Sequence, residues 1–216
     1  MPRALYIIIA FTLILAGCAT PEEDRARVSI DNGLRFYQQG NFSAAQQNFQ
    51  AALQFRPGDA DLVYNIGQCY EHQNDSARAE QTYLGCLRQS PDHVAAHDAL
   101  AALLIREGRK TEATRFVQDW LVHQPRLAAA YALDGWLWHQ SGDLPRAQAR
   151  LQQALELDPH DLTALTELGL VYEDLYRPER AVVLYERVLA LDAHQPQVEN
   201  RLHVLLAKGA GRPQPE

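Results

Sequence analysis

The chain is short of cations. Only Lys110 and Lys208 are lysines among its 216 residues, and 20 basic side chains face 27 acids, a formal net charge of −7. A chain of that sign is repelled by phosphate backbones, which argues against nucleic acid as a partner. Cysteine is scarce as well, with three residues at positions 18, 69 and 86. No G-x-S-x-G, P-loop or C-x-x-C pattern occurs, so the usual sequence marks of acyl transfer, phosphate binding and thiol exchange are all missing. No apolar run reaches the roughly 20 residues that a membrane-crossing helix needs. Hydrophobic material is plentiful nonetheless: 47% of the residues are apolar, which excludes a disordered chain and supplies a core.

The N-terminus reads as an export signal over residues 1–17. Arg3 supplies the positive end, and Leu5 to Ala16 form a short apolar stretch, too short to span a bilayer. It ends in Leu15-Ala16-Gly17-Cys18, which resembles the lipobox of bacterial lipoproteins. The resemblance implies cleavage before Cys18 and a diacylglyceryl group on its thiol. Each buried CH₂ contributes about 0.8 kcal/mol, so two or three acyl chains would anchor the protein without crossing the membrane. Ala19 follows the acceptor where many lipoproteins kept on the inner membrane carry Asp, which by resemblance favours the periplasmic face of the outer membrane. The plainer alternative is a secretory signal with an incidental cysteine.

Beyond a tether at 18–25, prolines recur at 57, 91, 125 and 159, each 34 residues after the last. The same register aligns Ala45, Ala79, Ala113, Ala147 and Ala181, and a second small site holds Gly33, Gly67, Ala101, Gly135 and Gly169. Large residues follow three positions on, and again at Phe49, Tyr83, Val117, Leu151 and Tyr185. Gly40-Asn41, Asn74-Asp75, Gly108-Arg109 and Gly142-Asp143 mark turns between paired helices. Small residues where two helices meet and large ones filling the wedge describe a helix–turn–helix unit that buries its apolar face only by stacking on its neighbours. This pattern resembles the tetratricopeptide repeat. The resemblance implies an all-α, right-handed solenoid of five units (26–59, 60–93, 94–127, 128–161 and 162–195), a capping helix at 196–207 and a disordered tail at 208–216. Trp120 departs from the pattern, standing where Ala52 and Ala154 are small, and is expected to wedge the third and fourth units apart.

In that family the helix-A residues not committed to packing line a concave groove. Carried onto this chain, they are Ile30, Leu34, Tyr37, Tyr64, Asn65, Gln68 and His72, then Asp98, Ile105 and Arg106, and finally Trp136, His139, Gln140, Thr166, Leu170 and Asp174. Tyr37, Tyr64, Asn65, Gln68, His72, Arg106, Trp136 and His139 are the predicted partner-binding set. The carboxylate clamp of chaperone-binding members does not fit, because Ala95 and Ala99 stand where its cations would be. Trp136 has two readings, a groove anchor or a packing residue beside Trp120; Trp138 and Tyr131 fall on packing sites. Cys69 and Cys86 sit at opposite ends of an antiparallel hairpin, which favours two buried thiols over a disulfide. His93 and His97 have an i, i+4 spacing that could suit a metal, but no acid completes the ligand set.

The resulting expectation is a non-catalytic scaffold without cofactor or small-molecule substrate. It would capture an extended or helical segment of an envelope protein. It resembles in kind the lipoproteins that assist pilus or secretin assembly, of the type IV pilus pilotin or Flp pilus groups. A regulator of peptidoglycan enzymes is the alternative reading, and a metal-dependent enzyme a third.

Overall fold

A computed structural model describes residues 21–211, so the signal segment, Cys18 and the end of the tail (212–216) lie outside the described residues. Eleven helices make up this part of the chain: α1 (Pro21–Gln38), α2 (Phe42–Leu53), α3 (Ala60–His72), α4 (Ser76–Gln89), α5 (Val94–Arg106), α6 (Lys110–His123), α7 (Ala128–Gln140), α8 (Leu144–Leu157), α9 (Leu162–Asp174), α10 (Pro178–Leu191) and α11 (Pro196–Ala207). They pair as five successive hairpins, each stacked on the next, with α11 closing the last. The inner helices α3, α5, α7 and α9 begin at the unit boundaries read from the sequence.

Residues 21–25, expected to be tether, are instead the first turns of α1. Pro21 at the helix start lacks the N–H that would be unsatisfied there, and Glu22, Glu23 and Asp24 suit the positive end of the helix dipole. Glu23 reaches the guanidinium of Arg56 beyond α2, tying this turn to the first hairpin. At the other end, the described residues of the tail fold back. Gly209 takes a left-handed backbone, and buried Ala210 donates its N–H to the Leu205 carbonyl.

Turn chemistry repeats with the helices. Asn41, Asp75 and Asp143 cap α2, α4 and α8, while Asp59 and Asp161 cap α3 and α9, each accepting a backbone N–H two or three residues into the helix. The residue that reverses the chain inside each hairpin is left-handed in all five: Gly40, Asn74, Gly108, Gly142 and Tyr176.

The small-residue register is a steric requirement. A Cβ on Gly67 would lie 2.5 Å from Tyr83 Cε1, and one on Gly33 would lie 2.5 Å from Phe49 Cε1. Gly135 and Gly169 meet Leu151 and Tyr185 in the same way. The third hairpin solves the contact differently, pairing Ala101 with the shorter Val117, both fully buried. Tyr83 and Tyr185 send their hydroxyls out of the core to Glu71 at 2.7 Å and Glu173 at 2.6 Å. Those carboxylates in turn hold Arg106 of the next hairpin and Arg201 of α11, so the capping helix supplies the cation that a further repeat would.

The array is irregular where Trp120 stands. α6 packs less closely on α5 and α7 than the helices of the first, second and fourth hairpins pack on each other. Trp120 fills the opening, buried and stacked on His97 with ring centroids 3.6 Å apart. A second departure is Asp134, buried at 2% exposure on α7 where the same register holds Ile66, Leu100 and Leu168. Arg150 Nε, 2.8 Å away, neutralises it, which offsets part of the cost of removing a carboxylate from water.

Candidate groove interface

The inner helices come together on one side of the stack, where α7 touches both α5 and α9. The predicted groove residues fall into two groups along this face.

In the first two hairpins they are largely spent on one another. The Tyr37 hydroxyl donates to Gln68 Oε1 at 3.2 Å, and Gln68 Nε2 donates to the Tyr64 hydroxyl at 2.5 Å. His72 stacks on Phe42 with centroids 4.4 Å apart, and Tyr37 meets both rings edge-on. Burial is the main cause that pushes the Tyr64 phenol up to about 12. Asn65 is half-buried beside this network. Arg106, exposed at the end of α5, is held by Glu71 Oε1 at 2.9 Å. This end is therefore a prebuilt, mixed aromatic and amide surface whose cation is already paired.

In the later hairpins His139 lies between two acids, with Nδ1 3.4 Å from Glu167 and Nε2 2.9 Å from Asp174. The Glu167 hydrogen bond is the largest cause that raises its pKa above the ordinary histidine value. Trp136 is half-buried. It packs against the core of the second to fourth hairpins and also walls a pocket of about 280 Å³ on the inner face. Trp136 is thus a packing residue beside the core that also leaves part of its ring on the inner face. The other walls are Asp98 and Ala102 from α5, Leu133 from α7, and Thr163 and Glu167 from α9. Glu167 and Thr163 were not among the predicted groove residues. A sequence signal for Glu167 exists in its register, since Asp31, Asn65, Ala99 and Leu133 precede it at 34-residue steps.

Trp138 and Tyr131 sit on packing sites as expected, half-buried against the core of the last hairpins. Arg146 lies 4.6 Å over the Trp138 ring. Cys69 and Cys86 are free, buried thiols, and desolvation pushes both up to about 11, which keeps them unreactive. His93 and His97 do not converge. His93 Nδ1 caps α5 while Nε2 faces Asp61 at 3.0 Å, and His97 Nε2 donates to the Pro91 carbonyl at 2.9 Å. Among the described residues, no group of three or more His, Cys, Asp or Glu is placed to hold a metal.

A second opening, of about 330 Å³, lies on the outer side between α4 and α6. His97 and Trp120 form part of its wall, yet His97 Nδ1 and Trp120 Nε1 are sealed from the surface and lack partners among the described residues.

The tetratricopeptide repeat family matches residues 30–93 and 140–196. Human protein O-mannosyl-transferase TMTC3 is 24% identical over 223 residues, covering 95% of this chain and 24% of the transferase. Cellulose synthase operon protein C of Xanthomonas axonopodis pv. citri is 24% identical over 180 residues, covering 80% of this chain and 12% of that protein. The chain spans a quarter or less of the length of these curated relatives. Among solved structures, a thermophilic tetratricopeptide protein of Thermus thermophilus superposes with a TM-score of 0.67 at 20% identity, covering 84% of this chain and 99% of the other. Yeast Tom70 gives a TM-score of 0.67 at 16% identity, covering 85% of this chain and 40% of that one. At these identities the structural likeness speaks for the fold.

Proposed function

The chain belongs to the tetratricopeptide repeat family, and from that premise we propose that it is a membrane-anchored, non-catalytic scaffold that captures a segment of a protein partner in its inner groove. The partner is an envelope protein, and the capture assists assembly of a pilus or secretion complex. The observation that carries the reading is the inner-face pocket walled by Trp136. A large aromatic left half-open in a concave site is the residue type that dominates binding energy when a partner covers it. Two of the groove's ionisable groups are already engaged, Arg106 by Glu71 and His139 between Glu167 and Asp174.

The lipid anchor rests on Cys18 and its resemblance to a lipobox, and Ala19 after it supports the periplasmic face of the outer membrane as the location. One experiment tests both parts. Membranes from cells making the full chain, Cys18→Ser or Trp136→Ala are crosslinked, and the bound proteins are identified. Cys18→Ser should move the protein into the soluble fraction. Trp136→Ala should lose pilus or secretin components at least tenfold while its helical circular dichroism is unchanged. Continued membrane attachment of the serine variant sinks the anchor. Undiminished capture by Trp136→Ala sinks the groove as the binding surface.

A further inference from the structure

Asp98 is a charge at a register where the other repeats have none, with Ile30, Tyr64, Ala132 and Thr166 at the equivalent positions. Its carboxylate makes no hydrogen bond or ion pair among the described residues and faces the pocket beside Trp136 and Glu167. The pocket exists because Ala102 is short where Leu34, Gln68, Trp136 and Leu170 occupy the same register. Two carboxylates, the unpaired Asp98 and Glu167, which His139 Nδ1 already approaches at 3.4 Å, and the Trp136 indole therefore converge on one cavity, contributed by three successive inner helices. No cationic side chain lines it.

We propose that this pocket receives the cationic side chain, Arg or Lys, of the partner segment, laid against Trp136 and neutralised chiefly by the unpaired Asp98, with Glu167, which already faces His139, as the second carboxylate. This rests on the groove reading above and adds the chemistry of the bound residue. The complementarity is twofold. An indole face attracts a cation more strongly than other aromatics do, and more so once water is excluded. A partly buried carboxylate without a partner is a standing cost that an incoming cation removes. The cavity, about 280 Å³, lies at the small end of ligand pockets and suits one extended side chain.

Burial, then repulsion from Asp161 at the start of α9, pushes the Asp98 carboxyl up to about 7. Glu167 on α9 is the other titratable group lining the pocket, and the two carboxylates interact with Tyr64 on α3, which feels the Asp98 charge, and with His139 on α7, which contacts Glu167. Tyr64 stays neutral below its raised value. Acidification from pH 8 to 6 therefore protonates Asp98 and favours the charged form of His139, and both changes oppose a cation.

The test uses the full chain in mild detergent and follows the Trp136 indole N–H resonance, assigned by its loss in Trp136→Phe. The probes are the N-acetyl methylamides of arginine, lysine, citrulline, norleucine and glutamate. Arginine and lysine probes should shift the resonance saturably, at least tenfold more tightly than citrulline or norleucine, and more tightly at pH 8 than at pH 6. Asp98→Asn should weaken the arginine probe about tenfold while melting no lower than the parent at pH 8, because it removes an unpaired charge. Glu167→Gln should weaken it several-fold. Equal binding of norleucine would make the pocket an apolar slot, tighter binding of glutamate would make it an anion site, and either overturns the proposal. Partner capture lost in Trp136→Ala but unchanged in Asp98→Asn overturns the cation pocket and leaves the scaffold standing. Arginine binding with no Trp136-dependent capture does the reverse.

Discussion

Gly67 and Tyr83 show how tightly single residues are coupled across a hairpin. The tyrosine ring occupies the space where a Cβ on residue 67 would stand, and the ring cannot swing away because it is fully buried and its hydroxyl is held by Glu71. Alanine improves helix propensity by about 1 kcal/mol over glycine, but overpacking a filled core costs about 1–3 kcal/mol. Gly67→Ala should therefore destabilise, by about 1 kcal/mol or somewhat more, as read by urea unfolding; a stabilised variant would show that the ring yields. The same scale explains what sequence reading missed. The recurrence of large residues identified Tyr83 and Tyr185 as packing residues, yet nothing in that pattern showed their hydroxyls reaching Glu71 and Glu173, because that depends on where the ring ends rather than where it starts.

Between helices, the turns carry the most readable chemistry and one visible strain. Gly and Asn supply the left-handed residue in the first four hairpins, and Tyr176 supplies it in the fifth with φ of 56°. A left-handed backbone costs an ordinary L-residue about 1–2 kcal/mol. Tyr176 is 93% exposed, so its ring returns little of that through packing. Tyr176→Asn, the residue used at the equivalent position 74, should raise stability by about 1 kcal/mol, seen as a higher melting temperature. A fall would mean that the ring makes a contact worth more than the strain. Turn pairs were legible in the first four hairpins because Gly and Asn are turn formers, whereas Tyr176-Arg177 gives no such signal.

Across the molecule, stability in a stacked array is close to a sum of unit and nearest-neighbour terms. The region around α6 is the place where that sum is most exposed to one residue. α6 lacks a side-chain N-cap, its neighbour α7 has Leu127 at the cap position and so lacks one too, and Trp120 is the largest α6 side chain in the looser contact. Removing a buried tryptophan costs about 3–5 kcal/mol when the gap stays open. Trp120→Ala should lower stability by about that amount and split urea unfolding into two transitions, with hydrogen exchange rising first in α5 and α6. A single transition with a small loss would mean that the neighbours close the gap, and that the wedge sets the spacing without being needed for cohesion.

By itself the sequence determined the repeat length, the helix starts at 60, 94, 128 and 162, the small-residue seam and the capping helix. These are local or nearest-neighbour properties, repeated often enough for their period to stand out. It also showed Trp120 and Trp136 as exceptions, since a broken period is as visible as a kept one. Only the tertiary structure showed that Pro21 already begins α1, where the first turn also reaches Arg56 through Glu23. It alone separated the groove into a self-paired end and an open one. And it alone brought Asp98, Trp136 and Glu167 to one pocket, for they come from three repeats, and the curvature that joins them is a sum over interfaces that no single repeat encodes.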